Sequence, residues 1–163
     1  MDRSATFALA MLALGSPGAS SAAEPVRAAF FGVKVVDTSL GANHDAEDAR
    51  ARQLEAQLVE TLAASGRYVF VDVAPVAAEA ARYDNLAHCN GCDADFAAAL
   101  GAEIAITGEV QMTSNLILHI SIFLRDAATG ALVDGGSADI RGNTDESWRR
   151  GLDFILKRRI LAD

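Results

Sequence analysis

The chain has 163 residues, of which 14 are Lys or Arg and 22 are Asp or Glu, for a net charge of −8, and 51% are apolar. That length fits one domain, buries roughly two thirds of its unfolded surface and needs no metal or disulfide merely to fold. With only 3 prolines it is neither disordered nor collagen-like, and its acidity argues against a nucleic-acid partner, which needs clustered Lys and Arg.

Residues 1–23 (MDRSATFALAMLALGSPGASSAA) read as an export signal. Arg3 and the free amine give a thin positive start, and Ala5 to Leu14 form an apolar run too short to span a bilayer. Pro17 and Gly18 break the run, and Ser21, Ala22 and Ala23 are the small residues a signal peptidase needs. A buried N-terminal helix is the alternative reading. Export places the remaining domain, residues 24–163, in a bacterial periplasm. No Cys near the cleavage site offers a lipid anchor, and no later stretch is apolar enough for a transmembrane span. A soluble periplasmic protein is expected.

Residues 27–37 (RAAFFGVKVVD) are β-branched and aromatic, which predicts a first strand. A loop with Gly41 and Asn43 leads to the clearest helix, 45–65. Ala51, Leu54, Leu58 and Leu62 make its apolar stripe, and Asp45, Glu47 and Asp48 sit where the helix dipole favours anions. Gly66 stops that helix, and 67–73 (RYVFVDV) is a second strand. Pro75 opens a short helix to about residue 83. A polar segment, 84–92, carries both cysteines, and 93–100 is another short helix closed by Gly101.

Residues 103–112 form a third strand, followed by a turn at 113–115. Leu116, Leu118, Ile120, Ile122 and Leu124 then alternate along a fourth strand, opposite a mixed face with His119, Ser121 and Arg125. Residues 126–130 (DAATG) make a hairpin loop with Gly at its positive-φ position. Residues 131–141 return as the last strand, with a bulge expected at Gly135-Gly136. Asn143 is placed to cap the final helix, with Glu146 completing a capping box. Trp148, Leu152, Ile155 and Leu156 are its buried stripe, and Lys157, Arg158 and Arg159 suit its carbonyl end. The expected fold is α/β, an α+β mixed sheet in the order β-α-β-α-α-β-β-β-α. A right-handed crossover joins the first two strands, an antiparallel meander forms the last three, and the helices pack on the sheet.

The stretches DVAPVAAEAA, CNGCDADFAAALGA, ITGEVQMTSNLIL, FLRDAATGALV and ADIRGNTDESWRRGL resemble an uncharacterised family of exported bacterial proteins, a domain of unknown function. RGNTDESWRRGL is the most specific of them. The element order is similar, at the level of fold, to the periplasmic module of the TolB N-terminal domain and of CsgG. The resemblance implies a binding or assembly role rather than an enzymatic one. The chain departs from the CsgG pattern in lacking a lipid anchor and a pore-forming insertion.

His88-Cys89-Asn90-Gly91-Cys92 is the one cluster with chemical potential. A c-type haem needs His after the second Cys, where this chain has Asp93. A zinc site on His88, Cys89 and Cys92 lacks a fourth ligand, for which the spacing selects neither His44 nor His119. A thiol–disulfide catalyst would gain from the helix that follows the pair, but a polar loop precedes it and all the prolines lie upstream. A disulfide staple for the loop is the plainest reading in an oxidising compartment.

Arg141, Asp145, Arg149 and Arg150 are candidate partner contacts; Asp139, Arg141, Asp145 and Glu146 could equally form a salt-bridged helix entrance. Trp148 reads as core. His119 reads as a hydrogen-bonded surface residue. No nucleophile elbow, phosphate loop, zincin pair or dinucleotide fingerprint occurs, and no cofactor is called for. The sequence thus points to a periplasmic, non-enzymatic adaptor or assembly protein that binds another envelope protein. The alternatives are a small thiol-redox or metal-handling protein acting through Cys89 and Cys92, and a small-ligand binder.

Overall fold

The computed structural model describes residues 24–38 and 44–162. The expected signal (1–23), the loop with Gly41 and Asn43, and the side chain of His44 lie outside the described residues.

Five strands form one mixed sheet in the order β2-β1-β3-β4-β5. β1 (Val26–Asp37) runs parallel to both β2 (Tyr68–Phe70) and β3 (Ile104–Ser114). β3, β4 (Ile117–Asp126) and β5 (Leu132–Arg141) make the antiparallel meander. The helices are α1 (His44–Ala64), α2 (Ala77–Ala80), α3 (Cys92–Ala99) and α4 (Asp145–Ile155). The mixed α/β architecture is the expected one.

The two sheet faces differ in what they hold. One carries the large core, where α1 supplies Leu54, Leu58 and Leu62 and α4 supplies Trp148, Leu152 and Ile155. They meet Ile106, Val110 and Met112 of β3 and Leu118, Ile120, Ile122 and Leu124 of β4. The alternation read from β4 therefore settles which face is inside. The other face is built on Ala29, Ala97, Ala102, Ala105 and Ala127, small side chains that let α3 lie close to the strands.

Four local expectations are corrected. The second strand spans only Tyr68–Phe70. The N–H of Val71 still donates to the Ala28 carbonyl, but the Asp72 carboxylate then accepts from the Ala74 N–H, and Pro75 lies in a 3-10 turn over Ala74–Val76. Asx-turn and proline geometry together end the pairing. Second, the β3–β4 turn falls at residues 115–116, so Leu116 is 70% exposed instead of opening the core stripe.

Third, the register slip in β5 skips Val133: Leu124 faces Asp134 and Arg125 faces Leu132. Gly135 serves another purpose, since a Cβ there would lie 2.5 Å from the Ile122 carbonyl oxygen. Fourth, Thr144 caps α4. Its Oγ1 accepts from the Ser147 N–H at 3.2 Å, so neither Asn143 nor Glu146 fills the role assigned to it. The helix ends in a π turn over Leu156–Ile160 that carries Lys157, Arg158 and Arg159 exposed.

Candidate functional site

α4 is seated by a polar hub at its entrance. Asn143 Nδ2 donates to Glu47 and Asn143 Oδ1 accepts from Trp148 Nε1 at 2.9 Å and from Arg50 at 3.2 Å. One amide side chain thus partners a buried indole N–H and one oxygen of a buried carboxylate, groups that are costly to leave unpaired. Two glycines then let the helix close on the sheet. A Cβ at Gly151 would meet Ile140 Cγ2 at 2.6 Å, and one at Gly136 would meet Arg159 Cγ at 2.9 Å.

This seating leaves a groove of about 620 Å³ along β5, the last strand of the sheet. Ser137, Asp139 and Arg141 line it from β5, and Glu146, Arg150 and Phe154 from α4. Among the described residues β5 pairs only with β4, so its outer main-chain groups form an edge, the part of a sheet that accepts another strand. Arg150 lies 3.6 Å from Glu146, and Arg141 has no ion pair among the described residues. Asp139 is held by His119 Nδ1 at 2.7 Å.

The four expected partner residues do not form one patch. Arg141 and Arg150 share the β5 groove. Asp145 and Arg149 line a second groove on the α1 side of α4, of about 520 Å³. There Asp145 accepts from Arg50 Nε at 2.8 Å, the salt-bridged entrance foreseen as the alternative use of this residue. Phe154, 49% exposed, escaped sequence reasoning. Its position off the Trp148, Leu152, Ile155 stripe is the signal that could have found it. Trp148 is core, as read, at 1% exposure.

Cys89 and Cys92 are joined by a disulfide with Cα atoms 5.6 Å apart. Cys92 is the buried first residue of α3, and Cys89 is partly exposed. Asp93 beside them is 1% exposed, with Oδ2 3.3 Å from Arg125 Nε and without a hydrogen bond. Burial pushes its carboxyl above the usual carboxylate range, against the lowering effects of the Ala94 N–H and Arg125. His88 Nε2 turns to Glu109 at 3.0 Å rather than to the sulfurs. Among the described residues no group of three or more His, Cys, Asp and Glu is placed to hold a metal.

A third hollow, of about 500 Å³, lies between β1 and the segment from 73 to 87. Phe30, Phe31, Val73, Ala80 and Tyr83 line it, with the buried Thr107, whose hydroxyl has no partner among the described residues. No helix among the described residues is long and apolar enough to cross a membrane.

A family model, DUF3280, described as a protein of unknown function (DUF2380), matches residues 26–160. No curated protein matches the chain. The chain is similar to the solved LpoB C-terminal domain from Salmonella enterica, at 13% identity and TM-score 0.54 over 76% of this chain and 87% of that one. It is similar to the lipoprotein GNA1162 from Neisseria meningitidis at 16% identity and TM-score 0.52, over 74% of this chain and 84% of that one. It is also similar to PelC, solved as a dodecamer from Paraburkholderia phytofirmans, at 13% identity and TM-score 0.51, over 83% of this chain and 88% of that one. At these identities the likeness is one of fold. The expected family of unknown function is the one matched, and the expected fold likeness is met in part, with LpoB- and PelC-like domains as the neighbours instead of TolB or CsgG.

Proposed function

We propose that this chain, which belongs to the DUF3280 family of unknown function, is a protein of the bacterial envelope whose β5 face acts as a non-enzymatic adaptor, binding another envelope protein there. The observation that carries this reading is the unpaired edge of β5 with a groove between it and α4. An extended segment of the partner adds a strand to β5, so that main-chain hydrogen bonds supply affinity and side chains in the groove supply specificity. Phe154 offers an aromatic anchor at the rim, and Arg141 and Arg150 favour a partner segment that carries a carboxylate. The lining residues provide two arginines, two carboxylates, two serine hydroxyls and an aromatic ring, a mixture of charged and aromatic groups that suits a contact surface. Residues 1–23 act as the export signal in this reading, and 24–163 are the exported domain. GNA1162, similar in fold, is a lipoprotein, which supports an envelope setting.

The test is site-specific photo-crosslinking in the native periplasm. A crosslinker at Ser137 or Phe154 should give one discrete adduct, weakened by R141E and absent when the crosslinker replaces the exposed Arg52 of α1. Equal adducts from both faces, or none from β5, would remove the reading.

A further inference from the structure

Binding along β5 leaves the cysteine loop unused, and the loop is already anchored without its disulfide. Lys34 Nζ holds Asp84 at 2.8 Å, Asn85 Nδ2 donates to Glu109 at 2.6 Å, and His88 meets the same carboxylate at 3.0 Å. Arg125 reaches the Ala87 carbonyl at 3.5 Å. After Cys92 the chain is α3, packed on the alanine face of the sheet. The bond therefore closes a short ring between two fixed segments, where a crosslink removes little chain freedom.

The same atoms are arranged for exchange. Cys89 is partly exposed, whereas Cys92 is buried at the N-terminal end of α3, where helix N–H groups favour a thiolate. The loop passes through two successive left-handed residues, Asn90 at φ 63° and Gly91 at φ 102°. Once freed, the Cys89 thiol has two acceptors in reach, the Leu86 carbonyl oxygen at 3.1 Å and Asp93 Oδ1 at 4.0 Å. Both stabilise the reduced pair, which makes the disulfide the stronger oxidant.

We propose that Cys89–Cys92 is an exchangeable disulfide that oxidises a pair of thiols on another protein, with Cys89 as the attacked sulfur and Asp93 as its proton relay. A thiolate of the partner attacks Cys89 Sγ. The Cys89–Cys92 bond breaks, and its electron pair leaves on Cys92. The partner's second thiolate then attacks the partner sulfur of the mixed disulfide, and Cys89 departs with the electron pair of that bond. The partner loses two electrons and two protons and gains a disulfide; Cys89 and Cys92 end as thiols. Asp93 carries the proton to Cys89 across the 4.0 Å gap. Its raised carboxyl keeps that proton available at higher pH than an exposed aspartate would. The charged groups acting on it are Arg125 of β4 and Asp95 of α3; His88 of the neighbouring loop is paired with Glu109 of β3. A disulfide of the glutathione class restores the oxidised pair.

The experiment uses the full chain and dithiothreitol as the dithiol probe, with alkylated thiols counted by mass from pH 5 to 9. The folded protein should exchange at Cys89, as shown by a mixed disulfide that glutathione disulfide leaves on C92S, with release of one glutathione thiol, and does not leave on C89S. D93N should slow exchange at the acid end by on the order of a hundredfold, the low end of what a positioned acid supplies, with the gap closing as pH rises. The wild-type pH profile provides the same readout without a variant, as a limb that D93N lacks. A pair reduced only when the protein unfolds, or a D93N profile that overlays wild type while the variant stays folded, would overturn the proposal. Neither outcome bears on the β5 groove.

Discussion

Substituting Gly151 tests the packing on which the β5 groove depends, because two effects of opposite sign compete there. Gly151 is interior to α4, so helix propensity alone predicts that Ala would stabilise by about 1 kcal/mol, and Val by less. The structure predicts the reverse. The new Cβ would lie 2.6 Å from Ile140 Cγ2 and 3.0 Å from Ile120 Cδ1. Those side chains are 8% and 0% exposed and have nowhere to retreat. Overpacking of this kind costs roughly 1–3 kcal/mol, so Gly151→Ala should be destabilised by about 1 kcal/mol net and Gly151→Val, with two further carbons, by about 3 kcal/mol. Urea unfolding with a common slope measures both. A double variant with Ile140→Ala removes the clashing methyl, so its loss should fall short of the two single losses added, by about 1 kcal/mol or more. Two single variants at least as stable as wild type, or strictly additive losses, would refute the close approach of α4 to the sheet.

Asn143→Ala strips partners from both Trp148 Nε1 and Glu47 and should cost about 2–3 kcal/mol. Thr144→Ala removes one cap and should cost about 1 kcal/mol; the reverse ranking in chemical denaturation would mean that the Asn143 hub does not hold α4 in place. Reduction of the Cys89–Cys92 bond in folded protein should lower stability by no more than about 2 kcal/mol, the chain-entropy value for so short a loop, and a larger fall in melting would mean that the bond holds the loop in place. The Asp93 carboxyl is raised above its ordinary 3.8 by burial, so the folded state keeps that proton more tightly than the unfolded one. Its contribution is complete below the unfolded value and is lost as pH rises through the folded one. The stability of wild type relative to Asp93→Asn should therefore fall as pH climbs from about 3.8 toward neutrality, and urea titrations that stay parallel across that range would show that Asp93 is not desolvated.

The alternation of Leu118, Ile120, Ile122 and Leu124 and the helical spacing of Leu54, Leu58 and Leu62 were enough to identify the strand, the helix and their buried faces. Those residues are 0–2% exposed because period 2 and period 3.6 each leave one side to hide. The glycines at 66, 101 and 130 sit at positive φ where the chain turns, which a sequence reveals because few other residues tolerate it. Local chemistry misled where two neighbours compete for one task. Asn143 and Thr144 can both cap a helix, and only the demand of Trp148 and Glu47 for a buried partner commits Asn143 elsewhere. The four candidate contacts divide between two grooves for a similar reason. Arg149 and Arg150 are adjacent in sequence, yet α4 turns them to opposite grooves, and Arg50, distant in the chain, claims Asp145. The pairing of Cys89 with Cys92 was readable from their proximity together with the expected oxidising compartment, whereas the buried Asp93 carboxyl facing Arg125 was not, because it needs β4 laid beside α3. Periodicity and turn chemistry are properties of neighbouring residues; which side chain reaches a shared buried partner depends on the whole fold.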